Sequence, residues 1–181
     1  EAKINKSLLK AIHTEALSES FERITVDGDT SPNDSSVLVA SGGAALKIDE
    51  GTQNEKKVRK AILEIYQQLA KQLIQDAEGA TKEVSIKVFL AKNVEQAKSV
   101  AFTVAESPLV KTALFGNDAN WGRILSAVGR AKGIDDVSKV AIDLNGTPLV
   151  KNGNLDPKHN ESKASKAIKK KQLTINIKLG T

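Results

Sequence analysis

The densest group of chemically capable side chains lies in Lys111-Thr-Ala-Leu-Phe-Gly-Asn-Asp-Ala-Asn-Trp-Gly-Arg-Ile-Leu125. It contains the one tryptophan, Trp121, with Asn117, Asp118, Asn120 and Arg123 and two glycines around it. Amide, carboxylate and guanidinium groups at this density can hydrogen-bond a polar ligand from several directions. An apolar lead-in, Ala113 to Phe115, enters the polar stretch, and an apolar helix leaves it through Ile124, Leu125 and Val128. The expectation is a strand–polar turn–helix junction. Open α/β folds often place a site there, because amides at a helix start are unpaired and attract anions. A packed turn plugged by Trp121 explains the same spacing and, on spacing alone, is the favoured reading.

Other combinations narrow the chemistry. Asp27, Asp29, Ser31 and Asn33 alternate like the first half of a calcium loop. Pro32 stands where that loop needs its sharp-turn glycine and Leu38 where it needs a bidentate glutamate, so the EF-hand reading fails. Asx-turns are favoured there over a magnesium site built from Asp27, Asp29 and Asp34. The chain has no cysteine and only His13 and His159, which removes thiolate chemistry and disfavours zinc. No metal ligand is assigned. There is no Gly-x-Gly-x-x-Gly, no Walker loop and no Gly-x-Ser-x-Gly elbow, so dinucleotide and ATP chemistry are disfavoured. Glu78, in Asp76-Ala-Glu-Gly-Ala-Thr-Lys82, is placed where a helix must stop. It is either a surface charge in a turn or a carboxylate presented to a substrate ammonium group.

The 181 residues carry a formal charge of +5, with Lys163, Lys166, Lys169, Lys170 and Lys171 clustered. No aromatic residue interleaves with these lysines, so a solvated helix face is favoured over a nucleic-acid interface. No apolar run reaches membrane-spanning length. The lack of cysteine suits a reducing, cytoplasmic setting. There is also no methionine, so Glu1 is not an initiator residue.

Periodicity supplies the elements that must position these groups. Leu8, Leu9, Ile12, Ala16 and Leu17 predict a helix capped by Asn5 or Ser7. Strands are expected at Phe21–Val26 and Val37–Ala40, with a loop between them. Val58, Ile62, Ile65, Leu69 and Leu73 mark one apolar face of a long helix ending near Asp76. Val84 to Leu90 alternates as a strand, and a helix over Val94–Val104 stops at Ser107-Pro108. A helix at 121–131, a strand at 140–144, an Asn145-Gly146 turn and a strand at 149–151 follow. A helix over 156–170 and a strand over Leu173–Leu179 close the chain. The expected class is α/β (α+β). A helix/sheet sub-domain spans 1–82, and a ferredoxin-like split βαβ sub-domain with an insert at 107–137 spans 83–181.

Three segments together resemble one family. Arg23-Ile-Thr-Val-Asp-Gly-Asp-Thr-Ser-Pro-Asn-Asp34, Asp76–Lys82 and Ser107–Ile124 look like the β chain of the glutamate N-acetyltransferase (ornithine acetyltransferase) family, and Val150-Lys-Asn-Gly153 fits the same pattern. The resemblance covers essentially the whole chain. It implies an N-terminal-nucleophile-type fold and a precursor that cleaves itself before a threonine. The new N-terminal threonine is the nucleophile, with its own amino group as base. N2-acetylornithine acetylates the threonine, ornithine leaves, and glutamate accepts the acetyl group. Some members also take acetyl-CoA as co-substrate; no resident cofactor is implied.

Carried over residue by residue, Glu78 is the substrate-binding glutamate, preceded here by Ala77 in place of the usual glycine. Asp27, Asp29, Asn120, Trp121 and Arg123 match strongly patterned positions and are candidate site-lining residues. Pro32 and Ala119 replace the family's usual threonine and proline. The nucleophilic threonine is expected just before Glu1, and a further glycine-rich segment after Thr181, so the chain alone is expected to be inactive. Thr14, Thr25 and Thr30 are internal and cannot substitute. The implied partners are the α chain of the same precursor and a second αβ pair, with no nucleic acid and no membrane. Two alternatives remain at this level: a related N-terminal-nucleophile aminopeptidase or amidohydrolase, and a non-enzymatic basic binding module.

Overall fold

The computed structural model describes residues 1–29 and 32–180. Thr30 and Ser31, which belong to the expected calcium-like loop, lie outside the described residues. The chain forms two compact units, Glu1–Glu78 and Gly79 onward. The division falls inside the Asp76–Lys82 segment rather than after it.

The first unit contains β1 (Lys3–Ile4), α1 (Lys6–Ser18), a 3-10 turn (Phe21–Arg23), β2 (Lys47–Ile48) and α2 (Gln53–Gln75). Helix α1 starts where Asn5 Oδ1 accepts the Leu8 amide at 2.8 Å, and Ser7 donates its hydroxyl to the same oxygen. Asn5 is therefore the cap. Leu8 and Ile12 meet Ile48 in a small core, with Leu38, Val58 and Ile62 packed at its edge. Helix α2 starts with a Thr52-x-x-Glu55 capping arrangement. Thr52 Oγ1 accepts the Glu55 amide at 3.2 Å, and the Glu55 carboxylate reaches back to the Gly51 amide at 2.5 Å. Arg59 Nε donates to the same carboxylate at 2.7 Å and Arg59 Nη1 binds Glu15 on α1. This network ties the two helices together. His13 Nδ1 lies 2.8 Å from the Tyr66 hydroxyl, and the rings meet edge to face.

Two expected strands are absent from this unit. Phe21–Arg23 is a 3-10 turn, and Val37–Ala40 has no ladder partner among the described residues. Among the described residues the sheet here is the two-residue parallel β1–β2 ladder. The apolar face of α2 is also only partly covered. Val58 and Ile62 pack, whereas Ile65, Leu69 and Leu73 are exposed. Glu55, Tyr66 and Ala70 are the buried residues of the helix.

The second unit begins with β3 (Glu83–Phe89), followed by α3 (Val94–Ala105), α4 (Pro108–Phe115) and α5 (Trp121–Gly129). Then come β4 (Ala141–Leu144), β5 (Thr147–Lys151), β6 (Asn154–Leu155), α6 (Glu161–Ile168) and β7 (Gln172–Lys178). The sheet order is β3-β7-β4-β5-β6. The β3–β7 pair is parallel, and the remaining neighbours are antiparallel.

The expected succession of elements is present, but the ferredoxin-like strand order is not. That arrangement places the first strand between the third and fourth in an all-antiparallel sheet. Here β3 lies at the edge, parallel to the last strand. One split βαβ unit does exist, since β5 and β7 run parallel with β4 between them and α6 connects them. Succession along the chain does not determine spatial order, which is why the expectation failed.

One sheet face is apolar. Ile142 and Leu144 on β4 join Leu173, Ile175 and Ile177 on β7, and Val84, Ile86 and Val88 of β3 lie in register with the β7 residues. Residues from α3, α4, α5 and α6 complete this core. The other face carries Ser85, Lys87, Asp143 and Asn176, and Asn176 donates to Asp143 at 2.8 Å. The Asn145-Gly146 turn is as expected, with φ of +48° and +81°, the two positive values a type I′ hairpin demands. Gly153, in the Val150–Gly153 motif, has φ +69°, and a Cβ there would lie 2.6 Å from the Val137 carbonyl oxygen. Helix α6 begins only at Glu161, capped by Asn160, because Asp156–His159 forms a turn. Among the described residues no helix is long and apolar enough to cross a membrane.

Two outcomes test this packing. Ile177→Ala is expected to cost about 2–5 kcal/mol in denaturant unfolding, since Ile177 is fully buried at the centre of the sheet. The Glu55 carboxyl is held below the usual carboxylate range, first by the Arg59 hydrogen bond and then by the Gly51 amide. A depressed folded pKa adds stability above the unfolded value, about 4.3, which is lost as pH falls through the folded value. Glu55→Gln is therefore expected to melt lower than the parent near neutral pH. The gap should narrow as the pH falls below about 4.

Candidate functional site

The polar stretch around Trp121 is a helix–turn–helix lock. Ala113–Phe115 is the end of α4, not a strand. Ser107-Pro108 does more than stop α3. The Ser107 hydroxyl accepts the Val110 amide at 3.4 Å, and Pro108 occupies the first position of α4, where its missing N–H costs nothing.

Helix α4 ends in a Schellman motif. The Asp118 amide donates to the Ala113 carbonyl at 2.9 Å and the Asn117 amide to that of Leu114 at 3.3 Å. This places Asn117 at φ +56°, a conformation asparagine tolerates better than other side-chain-bearing residues. Two residues later Asn120 caps α5, its Oδ1 accepting the Arg123 amide at 3.1 Å while its Nδ2 donates to Asp118 at 3.0 Å. Arg123 Nη1 then reaches back to α4, donating to the Leu109 carbonyl and the Thr112 hydroxyl, both at 3.0 Å. Lys82 Nζ donates to Asn117 Oδ1 at 2.7 Å, pinning the residue just before β3 to the same turn. Trp121 is half-buried against the unit's core. The plug reading of Trp121 and the polar-knot reading of its neighbours therefore hold together.

The other candidates are placed as follows. Asp27 Oδ1 accepts the Asp29 amide at 2.8 Å, an Asx-turn on an exposed loop. Both aspartates belong to the first unit, and Asn120, Trp121 and Arg123 to the second. Glu78 is the last residue of the first unit, exposed in the turn after α2, and Gly79 follows it at φ +69°. No partner for its carboxylate lies among the described residues. Lys163, Lys166, Lys169, Lys170 and Lys171 are all exposed, while Ala164, Ala167 and Ile168 of α6 are buried, which makes the cluster a solvated helix face.

Lys82, Thr112 and Asn117 escaped the sequence reading as members of the lock. Gly116-Asn117 after an apolar run was a legible helix-end signal. The long-range contacts of Lys82 and Thr112 had no local signature.

The second unit is a mixed α/β unit, a five-stranded sheet with helices packed on its apolar face and a locked polar turn between α4 and α5. A family model described as the ArgJ family matches residues 1–181. The chain is 40% identical over 183 residues to the arginine biosynthesis bifunctional protein ArgJ of Pseudomonas fluorescens, covering 99% of this chain and 45% of that protein. The corresponding protein of Desulfotalea psychrophila is 42% identical over 180 residues, covering 99% and 46%. A crystal structure of ArgJ from Bacillus halodurans superposes with a TM-score of 0.92 at 34% identity, over 99% of this chain and 84% of that one. The chain belongs to the ArgJ family. It spans about 45% of the length of the curated relatives it matches.

The lock can be tested at its two asparagines. Asn120→Ala is expected to lower unfolding free energy by about 1 kcal/mol through loss of the cap. Asn117→Val should cost about 1–2 kcal/mol from its left-handed backbone, and Asn117→Gly clearly less. Denaturant melts of the three variants would read this directly.

Proposed function

We propose that this chain is the β chain of a self-cleaved glutamate N-acetyltransferase of arginine biosynthesis, working in the cytoplasm. The observation that carries the reading is the family match over every residue of the chain. The fold in question is of the N-terminal-nucleophile type. Its nucleophile is a threonine preceding Glu1, and its companion is the α chain made from the same precursor. Two αβ pairs form the assembly.

Chain lengths support the two-chain reading. The Bacillus halodurans crystal chain is little longer than this one, since 84% of it is covered, whereas the curated relatives are more than twice as long.

The threonine hydroxyl adds to the acetyl carbonyl of N2-acetylornithine while the threonine's own amino group takes the proton. The amide C–N bond then breaks and ornithine leaves with that proton. The glutamate amine next attacks the acetyl ester, its C–O bond breaks, and the threonine recovers its proton as N-acetylglutamate departs. Acetyl-CoA enters the same cycle as an alternative donor.

Glu78 supplies the charge that receives the substrate's ammonium group. Its carboxylate is exposed on a turn and has no cation partner among the described residues, so an ammonium group would displace none of them. Asp27, Asp29, Asn120, Trp121 and Arg123 are candidate site-lining residues by resemblance, with no bond-making step assigned to them.

The test uses the full-length protein. Acetyl transfer from acetylornithine to glutamate, with a new amino-terminal threonine found by sequencing, is the expected result. Release of acetate without glutamate dependence would instead mark a hydrolase. Glu78→Gln is expected to reduce kcat/KM for acetylornithine by about 10- to 150-fold, the loss of one charge-assisted hydrogen bond. An unchanged kcat/KM would remove Glu78 from the substrate site.

A further inference from the structure

The first unit has too little core for its apolar surface. Its buried cluster is Leu8, Ile12 and Ile48, whereas the second unit buries nineteen residues in one core. Yet the first unit exposes Val26, Val37, Val39, Leu46, Ile65, Leu69 and Leu73. Large apolar residues gathered in one small unit mark a surface meant to be covered.

Two of these groups have a definite geometry. Residues 37–40 keep the alternation of a strand. Leu38 is half-buried and packs on the small core, as a strand's inward residue should, while Val37 and Val39 are 78% and 76% exposed. Their backbone groups join no ladder among the described residues. The second group is the α2 face. Val58 and Ile62 rest on the core, and the same face continues bare as Ile65, Leu69 and Leu73. Tyr66 and Ala70 are buried farther along the helix, so the bare residues form a stripe beside the buried one. The β1–β2 ladder, two residues long, cannot stand as a sheet by itself.

We infer that residues 35–40 are a strand of a sheet whose remaining strands lie in the part of the full-length protein outside residues 1–181, and that this same part covers Ile65, Leu69 and Leu73. The occupant follows from length: relatives matched over 99% of this chain contain more than as much again. Pairing would satisfy the free amides and carbonyls of residues 35–40, and the added layer would bury Val37 and Val39. The inference deepens the two-chain reading above and rests on it for the identity of the partner.

The test is made on intact full-length protein. Hydrogen exchange is followed in peptides spanning 35–40, and a diazirine side chain at position 37 or 39 is irradiated and its crosslinked peptides sequenced by mass spectrometry. Exchange about a hundredfold or more slower than an unstructured chain is expected. Crosslinks should map to the part outside residues 1–181. Fast exchange on the unsubstituted protein would overturn the strand. Crosslinks to residues 79–180, or to residues 1–181 of a second copy, would overturn the occupant. Acetyl transfer is assayed on the same preparation. A protein that transfers acetyl but leaves 35–40 unprotected sinks only this inference, and a protected but inactive protein sinks only the enzymatic reading.

Discussion

The second unit depends on the insertion of its last strand. β7 lies between β3 and β4, and β3 has no other neighbour in the sheet. Until β7 arrives, β3 is a lone strand, and the apolar stripe of Val84, Ile86 and Val88 has no in-register partners. Ile175 and Ile177 are fully buried at that centre. Each contributes about 1.5–3 kcal/mol of apolar burial, and the side chains of α3, α4, α5 and α6 meet them in the same core. The parallel β3–β7 pair joins residues almost ninety positions apart, for example Ile86 with Ile175. Closing so long a loop carries an entropic cost that the buried β3–β7 contacts must offset.

The sheet is also the base on which the helix lock around Asn117 and Asn120 rests. Helices α4 and α5 are short and could not persist alone. Their inner residues, Val110, Ala113, Ile124, Ala127 and Val128, are held by the core, and their polar ends are held by one another. Arg123 bridges back across the turn and Asn120 serves both Asp118 and its own helix. The result is a turn whose backbone is determined by hydrogen bonds and whose position is determined by apolar burial.

Elements whose periodicity reports their own burial were legible in the sequence. α1, β3, α3, β4 and β7 fall close to where alternation and helical spacing place them. Ala113–Phe115 was misread because three apolar residues cannot distinguish a helix end from a strand. Val37–Ala40 kept its pattern but not its ladder, since periodicity records which side of a segment is apolar and not what pairs with it. The strand order of the sheet was unreadable for a related reason: it is decided by contacts between distant segments. Around the α4–α5 turn the polar and aromatic residues that hold it were legible at Asn120, Trp121 and Arg123. The lysine that pins the turn was not, because Lys82 and Asn117 lie 35 residues apart and meet only through the tertiary fold.

The residues on either side of Glu78 are held by contacts within their own units. Glu78 lies in a turn with no partner among the described residues, which would ordinarily leave it free to wander. Its flanks are fastened. On one side the Asp76 amide caps α2 by donating to the Gln72 carbonyl at 2.9 Å. On the other the Glu83 amide donates to the Lys171 carbonyl at 2.8 Å, just where β3 joins β7, and Lys82 is tied to Asn117. The chain is thus anchored on each side of Glu78 within its own unit, by the end of α2 on one side and by Lys82 and β3 on the other. The β3–β7 pairing that completes the core thus also fixes one end of the turn that carries Glu78.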